Sequence, residues 1–441
     1  MIQVDYIITD FGASSDNQMN TQAIQKAIDT ASHAGGGRVV IPAGTFVTGA
    51  LFLKSNITLY LNAGSVLKFS DDQKEYPVVI SRWEGVEQQV YASCVYAEHA
   101  ENISVTGFGV LDGNGKNWWH VFRNDQSALK FPRPKLISFH KCSRITIRDV
   151  RLIDSPSWTI NPILCEDVTV DNVSILNPSD SPNTDGIDPE SCKNVRINNC
   201  HIDVGDDCIA VKAGTEETEE RVSCENVTIT NCTMVHGHGG VVLGSEMSGG
   251  IRNVTISNCV FQGTDRGIRL KSRRGRGGTV EDIRISNIVM DRVICPFIIN
   301  LYYFWGPNGE QQYVWDKTPQ PITNETPCFR RLHFMNITAK NVQAAAGFIY
   351  GLAEQYVSDI TFDNIRISLA EEAEAGEPAM MMGIEKMKNQ GFMVNFAENI
   401  VFERVSIENH VGEAFQIEQS KEIEVLNCRS KKLGGKQFNR I

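Results

Sequence analysis

No stretch of this 441-residue chain approaches 18 consecutive apolar residues, so no membrane-spanning helix is predicted. Positive charge is in the minority. There are 42 Lys and Arg against 53 Asp and Glu, a formal net charge of −11, which argues against nucleic acid and anionic membranes as partners. Proline is scarce, at 15 residues, and no segment has the composition of a linker, so a single domain spanning 1–441 is expected. The 12 cysteines show neither a disulfide framework nor paired zinc spacing. Several recur at one place in a repeat, as small core fillers would. The N-terminal "MIQVDYIITDFGASSDN" lacks a basic segment followed by an apolar run and a cleavage site. A cytoplasmic location is therefore expected, or an extracellular one if a leader has been removed.

What the chain does have is self-similarity. A phrase of the form Asn-Val-Thr-Ile-x-Asn recurs, anchored at Ile103, Ile145, Val168, Val195, Val227, Val254, Ile283, Leu332, Ile360, Ile400 and Ile423. The interval is 23 residues from Ile145 to Val168 and 32 from Val195 to Val227, with longer steps where insertions intrude. Each unit holds short, alternating, β-branched segments punctuated by Asn and Gly, the pattern of strands. Such a unit cannot bury its own apolar face and must stack on its neighbours. The expectation is an all-β, right-handed parallel β-helix. Asn199, Asn231, Asn258 and Asn427 each precede a cysteine and should stack at one turn, since Asn tolerates left-handed backbone. That ladder accounts for many Asn-x-Ser/Thr triplets without invoking glycosylation. Residues 20–34, "NTQAIQKAIDTASHA", have helical periodicity and stop at "GGG", which predicts a helix capping the open end of the stack.

Stacking places distant polar residues side by side. Laying Gly186-Ile187, Cys208-Ile209, Gly240-Val241 and Gly267-Ile268 over one another gives one column of Asp185, Asp207, Gly239 and Arg266. A second column holds Thr184, Asp206, His238 and Asp265. Strand alternation sends Arg269 and Lys271 outward together. Carboxylates crowd in this way to bind a metal, to meet a cation, or to share protons in acid/base work. His236 and His238 flank a glycine but lack a clear third ligand, so no metal is expected. Arg269 and Lys271 could instead pair with Asp188 or Glu190. The tract "SRRGRGG", with Arg273, Arg274 and Arg276, is open between a turn and further anion contacts.

The ordered motifs "NTDG" (183–186), "GDD" (205–207), "GHG" (237–239) and "RLK" (269–271) resemble those of glycoside hydrolase family 28, the polygalacturonases. The family's last motif is usually Arg-Ile-Lys; the substitution here keeps both cations. The resemblance implies hydrolysis of α-1,4 bonds between galacturonic acid units of pectin, without a cofactor. It implies Asp206 as the general acid, Asp185 and Asp207 as bases on the attacking water, and His238 as a partner setting the protonation of Asp206. Arg269 and Lys271 would grip substrate carboxylates, with Asn183 of the first motif and Tyr303 also binding substrate, although Tyr302 is adjacent to the latter. Crowded carboxylates suit this chemistry, because repulsion keeps one of them protonated while the others stabilise an oxocarbenium-like transition state. The family inverts configuration, whereas coils about 5 Å apart would read as a retaining spacing.

Long aromatic-rich insertions at about 70–97, 113–137 and 301–328 interrupt the coils, and insertions of this length are usually functional. As walls they would close one end of a groove, giving an exo-acting enzyme on pectic oligosaccharides. The other readings are an endo-polygalacturonase, a rhamnogalacturonan or xylogalacturonan hydrolase, a Ca²⁺-dependent pectate lyase using the acidic pair, and a non-catalytic glycan-binding β-helix.

Overall fold

The computed structural model describes residues 4–16 and 18–441. The chain divides into two compact units, one ending at Asp206 and the other starting at Asp207. In the first, the strands Ile57–Leu61, Glu101–Gly107, Ser143–Arg148, Glu166–Asp171 and Lys193–Asn198 pair in parallel. Leu59, Val105, Ile147, Val170 and Ile197 face one another in register and are buried. A second face stacks Leu67, Leu111, Leu152, Ile175 and Ile202. The third runs Leu51, Val95, Ile137, Ile160 and then Ile187. One apolar residue per coil on each face makes a continuous aliphatic column, so the repeat supplies the core that no single coil could. This is the parallel β-helix the repeat predicts.

The anchors identified in the sequence are strand partners. Ile103, Ile145, Val168 and Val195 follow one another in the first unit. Val227, Val254, Ile283, Leu332, Ile360, Ile400 and Ile423 do so in the second. The core of the second unit turns aromatic toward the C-terminus. Phe334 stacks on Phe362 at 4.6 Å, and Phe362 on Phe402 at 5.1 Å.

The predicted helix forms over Thr21–His33 and buries Ile24, Ala27, Ile28 and Ala31. Its Gln25 amide donates to Phe52 O and accepts from Phe52 N, at 3.0 and 2.9 Å, satisfying the strand edge that would otherwise be open. An asparagine ladder forms, running through Asn258 and three asparagines not singled out from the sequence. Asn258, Asn287, Asn336 and Asn364 all have positive φ and hand one amide bond to the next at 3.2, 3.3 and 2.8 Å. Asn199, Asn231 and Asn427 share that backbone conformation. Eleven cysteines are buried and Cys328 is half-buried, all as free thiols, which fits their reading as core fillers.

The insertions have their own structure. Val78–Trp83 and Val86–Tyr91 form an antiparallel hairpin whose two-residue turn, Glu84-Gly85, has positive φ at both positions, the twist-compatible choice. The second insertion holds a helix, Lys116–Asn124, burying Trp118 and Trp119. The third contains one helical turn, Gln312–Trp315.

Candidate active site

In the first unit, Asp185 and Asp206 are brought together by two turns that pack closely. Thr184 Oγ1 accepts from Gly205 N at 3.2 Å, tying the turn before Asp185 to the turn before Asp206. A Cβ on Gly205 would come within 2.3 Å of Ser181 O, so only glycine permits this approach. The result is that carboxylate oxygens of Asp185 and Asp206 lie within 4.8 Å of one another. Asp185 is buried and Asp206 half-buried. That separation would allow one divalent cation to bridge them. Asn183, in left-handed backbone, does not point its amide oxygen freely outward. It accepts from Arg133 Nη2 at 2.7 Å.

Asp207, the next residue along the chain, opens the second unit. There the laid-over columns are realised as strand register, with Ile209 opposite Val241 and Val241 opposite Ile268. Lys271 Nζ donates to Asp207 Oδ2 at 2.9 Å, and Arg269 Nη1 to Asp207 Oδ1 at 3.3 Å. A side chain at Gly239 would sit 3.2 Å from Asp207 Oδ1, so glycine leaves the carboxylate room. Burial alone would raise the pKa of Asp207. Lys271 and then Arg269 outweigh it, with a smaller pull from His238, and hold the carboxyl well below its usual range. His238 is exposed, as is His236.

Alternation turns Arg269 and Lys271 away from the aliphatic core, as expected, yet both are buried. They are covered by Asp207, by Tyr303, whose ring centre lies 5.1 Å from Lys271 Nζ and 5.7 Å from Arg269 Cζ, and by Met380, whose Sδ accepts from Arg269 Nη2 at 2.9 Å. Glu190 lies 3.5 Å from the buried Arg82. Tyr302 is turned elsewhere, fully buried with Arg274 Cζ 5.3 Å from its ring centre. The "SRRGRGG" arginines are structural. Arg273 and Arg276 clasp Glu216 at 2.8 and 2.5 Å, and Arg274 binds Glu354 through two bonds of 2.6 and 2.8 Å.

Two contributors have no mark in the repeat. Arg133 comes from the second insertion. Met380 comes from a segment, 370–389, in which Glu377 O and Pro378 O hold Arg266 and Met381 pairs with Tyr303. The only sequence signal of that segment is the stretched interval of 40 residues between Ile360 and Ile400, containing "EPAMMMG".

Within the second unit two cations hold Asp207 ionised, and within the first Asp185 and Asp206 share a small space. Comparison with known proteins agrees with acid/base chemistry. The model of the glycosyl hydrolases family 28 matches residues 33–378. A "Probable polygalacturonase" of Vitis vinifera is 33% identical over 380 residues, covering 83% of this chain and 75% of that protein. An "Endo-polygalacturonase" of Pectobacterium carotovorum subsp. carotovorum is 31% identical, covering 75% and 85%. The crystal structure of a hyperthermoactive exopolygalacturonase from Thermotoga maritima superposes with a TM-score of 0.75 at 29% identity, covering 99% of this chain and 94% of that one.

Proposed function

This chain belongs to glycosyl hydrolase family 28, and from that premise we propose that it removes galacturonate units from one end of α-1,4-linked oligogalacturonides, with inversion. The observation that carries the chemistry is the clamp on Asp207: Lys271 and Arg269 keep that carboxylate ionised and so able to accept a proton from water.

Asp206 is the half-buried carboxyl of the group and serves as general acid. Its proton passes to the glycosidic oxygen as the bond from that oxygen to C1 breaks. Asp185 and Asp207 take the proton of the attacking water as its oxygen bonds to C1. Their negative charge also stabilises the positive charge that develops at the ring. Lys271 has three donors and Arg269 five, so both retain donors for a sugar carboxylate after binding Asp207. Tyr303 lies against the same two cations and offers a face to the sugar.

Inversion is supported by the number of carboxylates, since a third acid allows a water to be held apart from the proton donor. The spacing of Asp185 and Asp206 alone, within 4.8 Å, is what a two-carboxylate rule would read as retention. Proton NMR of the first-formed anomer distinguishes the two. End-on cleavage is supported by the two structured insertions of the first unit and by the near-complete match to the Thermotoga maritima exopolygalacturonase.

The test is digestion of oligogalacturonides of defined length, with and without a chelator, followed by chromatography. Monomer released from the start, unaffected by chelator, is the expected result, with Asp206→Asn losing roughly 10²- to 10⁴-fold in rate. Mixed oligomers at early times would mean an endo enzyme. An unsaturated product absorbing in the ultraviolet, lost with chelator, would replace the hydrolase reading with a lyase.

A further inference from the structure

The first unit contains a cavity of about 190 Å³ lined by Trp83, Phe122, Leu129, Lys130, Phe131 and Arg133. Every one of these residues comes from the first two insertions, and none from the repeat. The volume is below the roughly 300 Å³ at which pockets for drug-sized ligands begin, so it suits one ring rather than several.

Its walls pair aromatic faces with positive charge. Trp83 stacks on Trp158 at 5.3 Å and 9°. Phe122 lies under the Arg133 guanidinium, 3.9 Å from its ring centre, and Lys130 sits 5.4 Å from the centre of Phe131. Arg133 is only 2% exposed, and a cation buried to that degree is normally paired with a carboxylate. Here its bonds go to neutral acceptors: Pro156 O at 2.8 Å, Pro182 O at 3.0 Å and Asn183 Oδ1 at 2.7 Å. Its Nε has no hydrogen-bond partner among the described residues. Burial lowers its pKa to about 10, with Glu84 and Asp185 opposing and Arg123 adding to the fall, so the charge persists at neutral pH. In a chain of net charge −11, this is a local positive site with an apolar floor.

The cavity is also joined to the acid. Asn183, which Arg133 holds, is two residues from Asp185. Thr159, which follows the stacked Trp158, donates its N–H to Asp185 O at 2.8 Å.

We propose that this cavity is a subsite for the terminal uronate ring of the substrate, with the carbon–hydrogen face of the sugar against Trp83, Phe122 and Phe131 and its carboxylate drawn to Arg133 and Lys130. The proposal rests on the galacturonide reading above and deepens it: the subsite holds the end of the chain and thereby sets which bond lies at Asp206.

Arg133 also secures the Asn183 turn, so Trp83→Ala and Lys130→Met are the informative changes. Binding of oligogalacturonides of two to six units is measured by calorimetry on Asp206→Asn protein with and without each change, beside cleavage of the same series by protein retaining Asp206. The expected result is about tenfold weaker binding in each variant, beginning at one chain length and constant above it, with KM rising more than kcat falls. Cleavage by the parent with unaltered binding at every length in both variants would overturn the subsite alone. Failure of the parent to bind or cleave any of the series would overturn the galacturonide reading, and the subsite with it.

Discussion

Lys271 and Asp207 are separated by 64 positions in the chain, yet the ammonium lies 2.9 Å from the carboxylate, with both groups buried. Strand register makes the pair possible: Val241 lies opposite Ile209 on one side and Ile268 on the other, which brings the strand bearing Lys271 two coils from Asp207.

Replacing Lys271 with Met removes the largest influence opposing burial at Asp207. The carboxyl pKa then rises, and the acid limb of the kcat/KM profile moves to higher pH. The sign for stability is the same. A carboxyl whose pKa is depressed in the folded protein contributes stability that is complete above the ordinary aspartate range near 3.9 and is lost as pH falls through its folded value. Acid unfolding of Lys271→Met therefore begins at higher pH than that of the parent, as circular dichroism during acid titration would report.

Glu354→Gln leaves Arg274 without its two-bond partner in a place where the glutamate side chain is 4% exposed. Breaking a buried pair from one side costs about 3–5 kcal/mol. The urea midpoint falls accordingly, and proteolysis within 301–328 accelerates, because Arg274 also binds the carbonyls of Tyr313, Asp316 and Thr318. An Arg274→Met/Glu354→Leu double variant recovers part of the loss.

At Asn287, with φ 57°, Ala should destabilise more than Gly by about 1 kcal/mol, because left-handed backbone penalises a Cβ. Both changes remove the amide bonds to Asn258 and Asn336, so the difference between their denaturant midpoints isolates the backbone contribution.

Phe334 lies between Phe362 and Phe297, at 4.6 and 5.5 Å, and is 1% exposed. Phe334→Ala costs about 3–5 kcal/mol through lost burial and the cavity left behind. Phe334→Leu should cost less, and the order is checked by thermal unfolding.

The coils were legible because their signal is periodic. Ile103 predicts Ile145, and Asp207 predicts Gly239 and Arg266, once each coil is laid on the last. The capping helix needed only its apolar spacing, and its ends fall one residue inside the expected 20–34. The immediate partner of Arg269 and Lys271 was less legible. Alternation gives the side of a strand but not the reach of a long side chain, and both cations reach back two coils to Asp207. Arg133 and Met380 could not be read at all, because an insertion has no register with the coil beneath it and its contacts depend on how the loop folds back.

The aliphatic columns have a further consequence for length. Every strand in them is tied to a partner one coil away, so the separation between two residues carried on the coils of the first unit cannot drift continuously. It can change only by gaining or losing a complete coil, in increments of about 4.8 Å. The first unit is in this sense a ruler with fixed graduations. Adding or removing one coil should change the distance between residues on the strands either side of it by that fixed increment, without intermediate positions.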